Sequence, residues 1–223
     1  MQIQELRLQT NVLRLQKFFY ADVLAMPLLE ESDAHFGVKA GATNLFFESG
    51  ASAYYHFAFN IPYFMMSSAL EWVKSNVVIL TDNGVELIDF PNWNAKAIYF
   101  EDPAGNILEF IGRADISVQE TAYAFEPKDI INISEVGLSS NDVLALRKKM
   151  EQHLHIPHYS GNSSKFCAIG NPEGLFILVN QKEKLWYPTN KAAKAFPLKV
   201  HVQVGTTRFS IDYNVETGAT VQT

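Results

Sequence analysis

The stretch that most restricts what this chain can become is Ala97–Arg113, AIYFEDPAGNILEFIGR. Its centre, Asp102-Pro103-Ala104-Gly105-Asn106, reads as a turn, because proline presets one dihedral while glycine and asparagine tolerate positive φ. The apolar, β-rich residues on either side then make a hairpin. Side chains alternate along a strand, so Leu108 and Phe110 share one face while Ile107, Glu109 and Ile111 share the other. Glu109 is a lone carboxylate in an apolar strand. Such a group either meets water on an open sheet face or has a partner that offsets its desolvation, and a metal ion is one such partner.

Two other segments have the same design. In Tyr54–Asn60, YYHFAFN, Phe57 and Phe59 occupy one face and His56 the other. In IQELRLQT, Leu6 and Leu8 oppose Glu5, Arg7 and Gln9. Three strands thus each carry an apolar face and a face with a candidate ligand.

YYHFAFNIP, YFEDPAGNILEF and ELRLQTNVLRLQKFFYADVLAMPLL together resemble the vicinal oxygen chelate superfamily, which includes glyoxalase I, bleomycin-resistance proteins and extradiol dioxygenases. The resemblance covers roughly the first half of the chain. It implies a ligand at His56, the metal-binding carboxylate of the terminal hairpin at Glu109, and a third ligand at Glu5, where the family often has His or Gln. A fourth ligand of the glyoxalase kind would fall at Phe46 or Phe47, with Glu48 adjacent.

The order of elements repeats. A strand at 3–9, a helix at 12–24 and strands near 27–31, 35–39 and 43–48 form one βαβββ unit. A strand at 54–60, a helix at 63–75, strands at 77–80 and 85–89 and the hairpin form a second. One unit cannot cover its own sheet, so the expected α+β fold is a set of βαβββ units whose curved mixed sheets surround a cavity. Residues 1–115 are expected to hold two paired units with the metal cavity, and 116–130 a connector. Residues 131–223 read as a degenerate second half: a third unit plus part of a fourth. There Glu135 stands where Glu5 stood, Leu178 takes the carboxylate position, and His201 stands where His56 stood.

Composition supplies exclusions. A net charge of -6, with only the short run Arg147-Lys148-Lys149, argues against a nucleic-acid partner. The single cysteine, Cys167, excludes an internal disulfide framework and a multi-cysteine zinc cluster. The N-terminus lacks a signal-peptide pattern and no apolar run is long enough to span a bilayer, so the expected setting is the cytoplasm, with no membrane partner.

The expected site follows. Glu5, His56 and Glu109 are candidate ligands for a divalent transition metal such as Fe, Mn, Ni or Zn. The opposing reading is a His56 hydrogen-bonded to Glu109 or Tyr99, with Glu5 exposed. Glu109 and Tyr99 are the candidate catalytic groups; Arg7, Gln9, Tyr54 and Trp93 are candidate substrate contacts. Arg7 either clamps an acidic substrate group or pairs with Glu5. The resemblance implies a metal-dependent enzyme acting on a small substrate with two adjacent oxygens, a dioxygenase or a glyoxalase-like lyase, in a monomer or homodimer. The alternative is a metal-free small-molecule binding protein of the bleomycin-resistance type.

Overall fold

The computed structural model describes residues 1–116, 120, 123–214 and 218–223. The first unit is β1 (Gln2–Thr10), α1 (Leu13–Lys17), β2 (Leu28–Glu31), β3 (His35–Ala40) and β4 (Thr43–Ser49). The expected single helix at 12–24 is α1 followed by a π-helical turn over Phe18–Val23, which buries Phe19 and Tyr20. The second unit is β5 (His56–Ile61), α2 (Met66–Asn76), the short β6 (Ile79–Leu80) and β7 (Ile88–Phe90), then the hairpin β8 (Ala95–Glu101) and β9 (Ile107–Arg113). The third is β10 (Asn132–Ser140), α3 (Val143–Leu154), β11 (His158–Ser160), β12 (Phe166–Asn171) and β13 (Gly174–Asn180). Three strands, β14 (Leu198–Val204), β15 (Thr207–Asn214) and β16 (Gly218–Gln222), form the partial fourth. Part of the expected connector at 116–130 lies outside the described residues.

The units pair in a different way from the one expected. One sheet runs β16-β15-β14-β1-β4-β3-β2 and the other β11-β12-β13-β10-β5-β9-β8-β6, with β7 also on β8. The first unit therefore joins the fourth, and the second joins the third. Burial gives the reason. On β1 the leucines are buried while Glu5, Arg7 and Gln9 are only half-buried, as in a sheet with one wet face. All of β5 and nearly all of β10 are buried, so each needs cover on both faces. These two doubly covered strands lie side by side, antiparallel, in the centre of the second sheet. One core joins the sheets, with Leu6, Leu8, Phe47 and Val200 from the first meeting Phe57 and Phe110 from the second.

The hairpin turn also ties the sheets together. Buried Asp102 accepts hydrogen bonds from Gln16 Nε2 at 2.7 Å and the Tyr20 hydroxyl at 2.8 Å, both from the first unit's helical segment. It also accepts from the Asn106 amide side chain at 2.7 Å and from the backbone N–H groups of Ala104 and Asn106 at 3.0 Å. Every partner is a donor, so a carboxamide in place of the carboxylate would, in either orientation, turn its own N–H groups onto donors. Asp102→Asn is expected to cost about 2 kcal/mol in a urea unfolding titration; a cost below about 0.5 kcal/mol would show that the turn does not fasten the sheets.

Candidate metal centre

His56 opens β5, and its Nδ1 lies 3.1 Å from the Ile107 carbonyl on neighbouring β9. A carbonyl only accepts, so Nδ1 carries the hydrogen and Nε2 keeps its lone pair. That lone pair faces Glu109 Oε2 at 3.6 Å. Burial pushes the His56 imidazolium down to about 4, so the ring is neutral around pH 7. In register, Ala58 lies beside Glu109 on β9 and beside Glu135 on β10. Ala58 and His56, two residues apart, share a face, so the strand between the two carboxylates contributes only a methyl group there. Donor atoms of His56, Glu109 and Glu135 all lie within 4.8 Å of one another, and all three residues are buried.

Charge is poorly balanced in this group. Burial and then the Glu135 charge hold the Glu109 carboxyl well above its ordinary range, against opposing pulls from Tyr99 and Arg113. Glu135 is raised by burial and held down by Arg113, a fully buried guanidinium that donates to Glu135, to Asn60 Oδ1 and, at 3.2 Å, to Ser134 Oγ. Tyr99 stands directly across from Glu109 on β8 and hydrogen-bonds it; its phenol is raised by burial and by that charge. One arginine thus serves two buried carboxylates. The 3.6 Å between Nε2 and Oε2 exceeds hydrogen-bond range, but two ligands each about 2.1 Å from one ion at a tetrahedral angle would be roughly 3.4 Å apart. One imidazole nitrogen and two carboxylates suit Mn, Fe, Ni or Zn, so the residues fit a divalent cation.

The group lies in the floor of a cavity of about 170 Å³. Its walls include Phe90, Trp93, Tyr99, Phe166 and Ile177, and Trp186 packs over the His56 ring with centroids 5.2 Å apart.

Topology separates the expected residues. His56, Glu109 and Tyr99 are together, and Trp93 lines the same cavity, its indole N–H donating to Ser160 Oγ at 3.2 Å. Glu5 is elsewhere: it belongs to the other sheet, where Arg7 Nε meets it at 2.6 Å and His201 Nδ1 at 3.3 Å. Arg7 also reaches Glu48 at 3.3 Å and covers the Phe46 ring, so it takes the ion-pair role rather than the substrate clamp. Gln9 is on that sheet too. Tyr54 donates to the Ala192 carbonyl at 2.8 Å and is not part of the cavity lining.

The residue missed as a candidate ligand, Glu135, had a visible signal, since it matches Glu5 by position and both follow a register shift in their strands. Register also corrects the second-half positions. Because Glu135 pairs with Ala58 and Glu5 with His201, the strand equivalent of His56 on β14 is Lys199 rather than His201. On β13 the residues facing the cavity are Ile177 and Val179, while Leu178 belongs to the shared core. Neither a fourth ligand in this cavity nor a second copy of the site is assembled among the described residues. Two positions of the site, Arg113 and Trp186, have no counterpart in the sequence expectations.

No family model and no curated protein matches the chain in sequence. Among solved structures, a Bacillus subtilis protein assigned as a dioxygenase superposes with a TM-score of 0.60 over 80% of this chain and 63% of that one, at 18% identity. The chain has the vicinal oxygen chelate fold. It spans less than two thirds of the length of the Bacillus protein. A lactoylglutathione lyase from Agrobacterium tumefaciens aligns over 49% of this chain and 92% of its own, with 19% identity and a TM-score of 0.43. A glyoxalase/bleomycin resistance protein/dioxygenase from Nocardioides covers 55% and 90%, at 18% and 0.43. Among the described residues no helix is long and apolar enough to cross a membrane.

Proposed function

We propose that the chain is a metal-dependent enzyme acting on a small substrate that presents two adjacent oxygens. The observation that carries this is the buried convergence of His56, Glu109 and Glu135 in the floor of a cavity with aromatic walls. His56 Nε2 and one oxygen from each glutamate would hold the ion, with Arg113 fixing the Glu135 carboxylate by its other contacts. A bound divalent ion supplies Lewis-acid stabilisation of negative charge developing on a substrate oxygen. The chain's own residues do the rest. Tyr99 sets the direction of the Glu109 carboxylate, the Ile107 carbonyl fixes the His56 tautomer, and the walls exclude water from a flat apolar substrate.

The test is metal content. Protein purified without chelator, or stripped and then dialysed against Mn, Fe, Ni or Zn, is expected to hold about one equivalent. A protein that takes up none of these ions would overturn the enzyme reading, and ligand binding without turnover would then place it with the drug-sequestering members of the fold.

A further inference from the structure

The cavity changes character from its floor to its mouth. At the floor each candidate ligand has a partner inside the protein: Arg113 holds Glu135, Tyr99 holds Glu109, and His56 is tied to the Ile107 carbonyl. Residues 181–195, between β13 and β14, form the cover and supply Lys184, Leu185, Trp186 and Tyr187 to the lining. Trp186 is buried over the His56 ring, whereas Leu185 and Tyr187 are 50% and 41% exposed and Lys184 is exposed as well. These three mark where the cavity meets water.

Among the described residues, Lys184 is the one lysine or arginine that lines this cavity. Its side chain forms no ion pair or hydrogen bond with any described residue. The acids of the cover are already engaged. Its chain neighbour Glu183 pairs with Lys165 at 3.1 Å, and Asp82 accepts from the Tyr187 hydroxyl at 2.7 Å. The cover's Lys191, by contrast, is bound to Glu101 and to the Gly105 carbonyl, each at 2.8 Å.

A solvated lysine needs no protein partner, so what singles out Lys184 is where its root is held. Its backbone N–H donates to the Asn180 carbonyl at 2.9 Å and its carbonyl accepts from the Ala193 N–H at 3.2 Å. The Trp186 N–H donates to the Lys191 carbonyl at 2.8 Å, and Tyr54 fastens Ala192. The cover is fixed, and the ammonium swings at the mouth only on its own flexible stem. A ligand that fills the aromatic cavity therefore ends beside a single unpaired cation.

We propose that Lys184 is the anion-recognition group of the cavity: it pairs with a carboxylate at the mouth-side end of a flat apolar ligand, and so selects singly charged aromatic acids over neutral molecules of the same shape. One cation matches one carboxylate. A phosphate dianion would call for further donors, and the Trp93 N–H and the Tyr187 O–H are spent on Ser160 and Asp82. This rests on the reading of the cavity as the substrate site and does not depend on a metal, which would lie at the floor.

The experiment titrates metal-free protein at low ionic strength with trans-cinnamate and trans-cinnamamide, which share a flat body and differ in carboxylate against carboxamide. In Lys184→Met, which keeps the length of the stem and removes the charge, the ratio of cinnamate to cinnamamide affinity is expected to fall about 3- to 5-fold. Lys184→Arg is expected to restore it. Lys182→Met, at an exposed position outside the cavity lining, is expected to leave the ratio unchanged. An unchanged ratio in Lys184→Met, an equal fall in Lys182→Met, or binding of neither probe would overturn the assignment. Absence of metal uptake, which would sink the enzyme reading, leaves this result intact; metal uptake with an unchanged ratio removes Lys184 alone.

Discussion

Replacing Arg113 by methionine is expected to destabilise the protein by about 3–5 kcal/mol, because removing one member of a buried ion pair leaves the other charge uncompensated. The guanidinium is fully buried and donates to Glu135, Asn60 and Ser134, so methionine strips partners from all three at once. Chemical denaturation of the metal-free protein measures the cost. The double variant Arg113→Met/Glu135→Leu is expected to regain much of it, since an apolar pair of similar volume needs no compensation. A single-variant cost below about 1 kcal/mol would mean that Glu135 is not held as a buried anion, and Glu135 would then have to be dropped as a ligand.

How much of this was legible depends on the distance along the chain between partners. The Asp102–Asn106 turn and the facing of Tyr99 across from Glu109 follow from local chemistry and strand alternation, and the structure has both. The βαβββ order was readable for the same reason. Which unit pairs with which was not, because β5 and β10 are far apart in the chain and become neighbours only in the fold, and strand pairing at that range leaves no periodic trace. Glu5 and Glu135 illustrate the difficulty. Both open the polar side of a first strand, and what separates them lies two residues on. After Glu5 comes Arg7, which satisfies it at the surface of a half-wet sheet. After Glu135 comes Gly137, whose missing side chain gives Trp186 room to close the cavity. The uninterrupted burial of β5 was also encoded, in HFAFNI, whose polar side carries Ala58 between His56 and Asn60 and so lacks the alternation seen in β1. Arg113 was hidden because a terminal arginine on a strand ordinarily reaches water, and only the approach of β10 buries it.

Glu109→Gln is expected to lower divalent-metal affinity by at least about 100-fold, since outer-shell changes alone cost 10- to 100-fold and this one removes a ligating anion. The same substitution is expected to change how stability depends on pH, and the signs can be worked out. The Glu109 carboxyl is raised above its ordinary 4.5 in the folded state, so the unfolded chain releases this proton first. Its contribution to stability is therefore complete below 4.5 and is lost as pH rises toward the folded value. Metal-free wild type should lose stability relative to Glu109→Gln over that rise, and a saturating divalent ion should remove the loss. His56 acts at the other end. Its fall from 6.5 to about 4 means that the unfolded chain gains a proton the folded one refuses, so stability drops as pH falls from 6.5 to 4, by about 3 kcal/mol. His56→Gln should flatten that acid limb while leaving the Glu109 limb in place. Urea midpoints from about pH 4 to 9, with and without metal, separate the two. If Glu109→Gln binds metal like the wild type, or runs parallel to it across the whole range, the carboxylate is neither the ligand nor the strained group that the geometry makes it.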